Sequence, residues 1–69
     1  MKTIVKIHQE IMYTIYYGKE YCISYKDFKD AIKMVKETIK YNDNINEDFY
    51  IFFENENTKM LVATITTKN

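Results

Sequence analysis

From Ile23 to Tyr41 the apolar residues Phe28, Ala31, Ile32, Val35 and Ile39 recur at the spacing of one helical face. In a chain of 69 residues this one helix constrains the rest. Ser24 is placed as its N-cap and Asp27 as the acceptor of a capping box, with Ile23 and Phe28 positioned as a hydrophobic staple. At the other end Lys40 suits the helix dipole, and Asn42 or Asn44 suits a left-handed residue closing the last turn. A second stripe shares the helical spacing. Lys26, Lys29, Lys33, Lys36 and Lys40 fall within an arc of about 80°, well off the apolar centre, and Asp30 and Glu37 flank it.

The flanking segments carry a different period. Over residues 1–17, Met1, Val5, Ile7, Ile11, Tyr13, Ile15 and Tyr17 share one parity, and Lys2, Lys6, His8, Glu10 and Thr14 share the other. Period two is strand patterning, yet one strand of that length would run about 55 Å, too long for so small a domain. A hairpin bending near His8-Gln9-Glu10 keeps the parity if three residues form the loop, with Ile7 facing Ile11 and Val5 facing Tyr13. A single bulged strand through residues 2–17 is the alternative. Gly18 is the one glycine, and Gly18-Lys19 suits a type II′ turn into a short strand Tyr21-Cys22-Ile23. After the helix comes a polar, acidic loop, Asn42 to Asp48. Phe49-Tyr50-Ile51-Phe52-Phe53 and residues 59–66 then form strands joined by Asn55-Glu56-Asn57-Thr58, which is turn chemistry.

The expected fold is therefore α+β, one domain over residues 1–69: an antiparallel sheet of four to five strands with one helix packed across one face. One helix is about 10 Å across, whereas five strands at about 4.8 Å spacing make a sheet near 20 Å wide. Part of one face and all of the other lack a cover. Phe49, Ile51 and Phe53 take one parity, whereas Tyr50 and Phe52 take the other, with Met12 and Tyr16 adding apolar bulk to that outer side. An aromatic outer face marks an interface, and strong curl of the sheet is the competing explanation.

Composition excludes several classes. One cysteine and one histidine rule out a disulfide framework and a Cys/His zinc site, so seven Tyr and four Phe must carry the core or an oligomer interface. The net charge is zero and all ten basic residues are Lys, which argues against a sequence-specific DNA reader that needs Arg. The charge is uneven, with eight Lys and five acids over residues 1–41 against two Lys and five acids beyond. Lys2, Lys6 and His8 interrupt the N-terminal apolar residues, so no secretory signal and no membrane span is expected, and the free thiol fits a reducing cytoplasm.

No catalytic set assembles from the sequence. Cys22 in a strand reads as a small packed hydrophobe, and His8 near a turn reads as solvated. The acids of the 42–48 loop lack the central Gly and terminal Glu of a calcium loop, and there is no phosphate-cradling glycine run. An enzyme, a cofactor and a metal site are not expected. The lysine stripe has two readings. Lys26/Asp30 and Lys33/Glu37 offset much of the repulsion within the i,i+4 pairs Lys29/Lys33 and Lys36/Lys40 and make it a solvated face; alternatively it meets a polyanion or an acidic protein patch.

In layout the chain resembles small phage-encoded inhibitors of bacterial defence, the anti-CRISPR proteins built as a few strands, one helix and a final hairpin. The residues carrying the likeness are Met1-Lys2-Thr3-Ile4-Val5-Lys6-Ile7, Asp27-Phe28-Lys29-Asp30-Ala31-Ile32-Lys33 and residues 50–65. The resemblance implies a stoichiometric, non-catalytic protein that occludes a nucleic-acid-binding surface of a Cas effector, and it transfers no site residue. Some members mimic DNA through dense negative charge, which this neutral chain does not share. The expected function is a protein-binding module directed at a host defence complex. The contact residues expected are Lys26, Lys29, Lys33, Lys36, Lys40, Tyr16, Tyr50 and Phe52. Nucleic-acid or nucleotide binding through Lys and stacked Tyr is the second expectation, and a homodimer the third.

Overall fold

The structure, a computed structural model, describes residues 10–66. They form strand β1 (Met12–Tyr17), strand β2 (Glu20–Tyr25), helix α1 (Phe28–Tyr41), strand β3 (Phe49–Glu54) and strand β4 (Lys59–Ile65). The four strands make one antiparallel sheet in the order β2-β1-β3-β4. β1 and β3 are central, so α1 carries the chain from edge strand β2 over β1 to β3. The α+β class with one helix across one face is what the two periodicities predict.

Gly18 and Lys19 close the first hairpin, with Tyr17 opposite Glu20. Gly18 has φ +61° and no other residue has a positive φ among those described, as a type II′ turn requires. Gly18 N–H also donates to Asp48 O at 2.9 Å, and Asn46 exchanges bonds with the Tyr17 hydroxyl at 2.9 and 3.0 Å. The loop after the helix is thereby tied to the first hairpin. The second hairpin closes on Asn55, whose Oδ1 accepts from Asn57 N and Thr58 N at 2.9 and 2.8 Å.

The core lies between α1 and the sheet. Ile15 and Ile51 face each other across β1 and β3 and are fully buried, as are Ala31 and Val35 of α1; Phe49 closes one end. Fully burying an aliphatic side chain of this size stabilises by about 1.5–3 kcal/mol. Tyr13 bridges Phe28 and Phe53, with ring centroids at 5.4 and 5.1 Å, and links the helix start to β3. Both edge strands bulge beside the Ile15–Ile51 row, at Cys22 in β2 and Val62 in β4. Bulges steepen strand twist.

Several local expectations are corrected. Ser24 is not an N-cap. It pairs with Thr14 inside β2, and its Oγ lies 3.0 Å from Thr14 Oγ1. Ile23 lies opposite Ile15 in β2, and with Asp27 as the cap Ile23 and Phe28 no longer occupy the positions of a hydrophobic staple. The helix begins after Asp27, which caps it in an extended conformation without a side-chain bond. Cross-strand pairing therefore outweighs the local capping signal. Asn42 ends the helix with φ −131°, not left-handed, and its Nδ2 donates to Thr38 O at 2.8 Å. The hairpin proposed for the N-terminal residues involves positions 1–9, outside those described. Among the described residues Tyr13 pairs with Tyr25 on one side and Phe53 on the other. The alternative of one strand through residues 2–17 is broken at Glu10 and Ile11, before β1 begins at Met12, and its residues 2–9 lie outside those described. Cys22 is exposed at its bulge, not packed.

Candidate functional site

Helix α1 packs on the β1–β2 half of the sheet. Ala31 and Val35 point into the core, while Phe28 and Ile32 lie on the flank turned away from Met34 and Thr38. That flank stays open. Phe28 is 37% exposed, and together with Ile32 it floors a shallow groove of about 460 Å³ rimmed by Lys29, Lys33, Lys36, Glu37 and Lys40.

The rim carries four lysines against one acid, Glu37, so it is net positive. Lys29, Lys33, Lys36 and Lys40 are exposed, and among the described residues none has a carboxylate within 4 Å. The offsetting pairs expected from sequence, Lys26 with Asp30 and Lys33 with Glu37, do not form. Lys26 lies before the helix and meets Glu10 at 3.6 Å, with both side chains about 70% exposed. Lys40 sits over its neighbour Tyr41, 5.4 Å from the ring centroid. Four of the five predicted lysines therefore share one helical rim, and Lys26 is separate.

Tyr16, Tyr50 and Phe52 fall together on the opposite face of the sheet. Tyr16 and Phe52 meet edge to face at 5.3 Å, and Tyr16 meets Tyr21 similarly at 6.1 Å. Lys59 Nζ lies 4.8 Å from both the Tyr16 and Phe52 ring centroids, and the Tyr16 hydroxyl donates to Glu54 Oε1 at 3.0 Å. Glu54 is only 6% exposed. Tyr16 and Phe52 are thus engaged with each other and with Lys59 and Glu54 at the ends of the second hairpin. The lysine rim and the aromatic face lie on either side of the sheet, so one flat partner cannot touch both.

Sequence reasoning missed the groove floor. Phe28 and Ile32 carry the same periodic signal as the core residues, and nothing local separates the buried part of an apolar stripe from its open part. Lys59, too, gave no sign of covering Tyr16 and Phe52. A second cleft of about 320 Å³ opens near the C-terminal end of α1, with Cys22, Met34, Ile45 and Phe49 in its wall. Edge strand β4 exposes Met60, Leu61 and Val62. Among the described residues no group of three or more His, Cys, Asp or Glu side chains gathers to hold a metal ion, and no helix is long and apolar enough to cross a membrane. His8 lies outside the described residues, so its expected solvation and any approach to Cys22 do too.

The fold and groove define a small α+β domain with one open, cationic, apolar-floored helix flank. No family model matches the chain, and no curated protein or solved structure matches it significantly.

Proposed function

We propose that the protein is a non-catalytic protein-binding module that grips its partner along the α1 groove, and that it serves as an inhibitor of a bacterial defence complex, in the manner of anti-CRISPR proteins. The observation that carries the binding surface is the rim of four lysines without close carboxylates around Phe28 and Ile32. Charges left free at a surface steer encounter with an opposite patch, and an adjoining apolar floor supplies area to bury. The inhibitor role is supported by the strand–helix–hairpin layout and the small size of the domain.

Nucleic-acid binding is the competing reading. It needs lysines on phosphate and tyrosines stacked on bases at one surface. Here the four rim lysines and Tyr16, Tyr50 and Phe52 are on opposite faces, which leaves Phe28 as the one aromatic ring on the groove floor.

The test is a plaque assay in bacteria carrying defined CRISPR–Cas systems and expressing this chain. Protection of phage in at least one system is expected, with loss of protection in the Lys29→Glu/Lys33→Glu/Lys36→Glu variant, whose melting temperature should stay near that of the parent. Full interference by every system tested would sink the inhibitor role. An unchanged phenotype in the triple variant would sink the groove as its surface.

A further inference from the structure

We infer that the occupant of the α1 groove is an acidic amphipathic helix of another protein, its carboxylates spaced to meet Lys29, Lys33, Lys36 and Lys40; this rests on the groove being the binding surface. The spacing supports a helix. The four lysines stand at i, i+4, i+7 and i+11, a row of about 16 Å at 1.5 Å rise per residue. A helix laid alongside repeats acids at the same interval. An extended strand offers same-side positions about 6.7 Å apart, so its fourth carboxylate overshoots by about 3.5 Å.

Charge decides whose helix it is. Residues 1–9 carry Lys2 and Lys6 with no acid, and residues 67–69 carry Lys68 with no acid, so the terminal segments of the chain would add like charge to the rim. A second copy placing α1 against α1 would set one lysine row against another. Like charges juxtaposed across an interface disfavour association. An acidic foreign helix is the complement. Its apolar face would lie on Phe28 and Ile32, the helix-in-groove mode in which anchors recur at i, i+3, i+4 and i+7. Glu37, the one acid on the rim, disfavours a carboxylate opposite it and so helps set the register.

The probe is a helix-stapled peptide of about 16 residues, about 24 Å long, with Glu at i, i+4, i+7 and i+11 and Leu along the adjoining face. Three controls accompany it: the same peptide with Gln for Glu, one of scrambled order, and a single-stranded thymidine oligonucleotide. Binding is read by fluorescence anisotropy at low and physiological salt and by amide shifts in α1. The Glu peptide should bind at least about tenfold more tightly than the Gln and scrambled peptides, and should shift the groove amides. Lys33→Glu/Lys36→Glu should abolish the preference for the Glu over the Gln peptide. If the Gln peptide binds the groove as well as the Glu peptide, the acidic helix is wrong and the groove stands. If no peptide shifts the groove amides, both fail. Groove shifts by the oligonucleotide alone would mean that the rim serves nucleic acid.

Discussion

Tyr16 reaches along the outer face of the sheet to donate its hydroxyl proton to Glu54 Oε1, 3.0 Å away, although Glu54 is the last residue of β3 and almost wholly buried. A carboxylate in that position needs donors, and Tyr16 supplies one. The residue that reads from sequence as a contact for a partner is also a strut between β1 and the second hairpin. Tyr16→Phe should therefore destabilise the domain by about 1–3 kcal/mol, the cost of removing a bond to a buried acceptor. Thermal unfolding checks it. In the Glu54→Gln background, with the carboxylate charge gone, the same substitution should cost less.

Gly18 closes the first hairpin at φ +61°, and a Cβ there would lie 3.2 Å from Glu47 Oε1. The side-chain contact can relax, but the backbone conformation cannot. Gly18→Ala should cost about 1–2 kcal/mol in chemical denaturation, from the left-handed conformation of a residue bearing a Cβ. Against a Glu47→Ala background the cost should be nearly the same. Full recovery there would assign the penalty to the contact instead.

The fully buried Ile51 should report the core directly. Ile51→Val should cost about 0.5–1.5 kcal/mol and Ile51→Ala about 2–5 kcal/mol, the second enough to unfold much of so small a domain. Leu61, one step away on the opposite face of the sheet and 49% exposed, should tolerate Ala within about 0.5 kcal/mol. Equal losses at the two positions would contradict the burial pattern.

Ser24 separates two accounts of the helix start. Its Oγ lies 3.0 Å from the fully buried Thr14 Oγ1 and 3.3 Å from the Tyr21 hydroxyl. Ser24→Ala should cost about 1 kcal/mol. Amide exchange should quicken in β1 and β2 while the first turn of α1 keeps its protection. Asp27→Ala, which removes no side-chain cap bond, should cost about 0.3–0.5 kcal/mol through the helix dipole alone. Fraying of α1 in Ser24→Ala would restore Ser24 as the cap.

Sequence alone determined the features that depend on near neighbours. The period of Phe28, Ala31, Ile32, Val35 and Ile39 makes a helix. The alternation from Phe49 to Phe53 makes a strand with Tyr50 and Phe52 turned outward, and Gly18-Lys19 makes a two-residue turn. Tertiary structure decided everything that turns on distant partners. Ser24 has the chemistry of a cap and of a strand hydroxyl, and Thr14 in the adjacent strand selects the strand. Tyr13 reads from sequence as a strand residue without a settled partner, and the fold sets Tyr25 and Phe53 beside it. The rim lysines had Asp30 and Glu37 nearby along the helix, yet close pairs do not form, because exposed side chains gain little from holding one geometry in water. The apolar stripe and the lysine stripe were both legible. Which part of the first stays open beside the second is set by where one helix comes to rest on a wider sheet, and no local pattern encodes that.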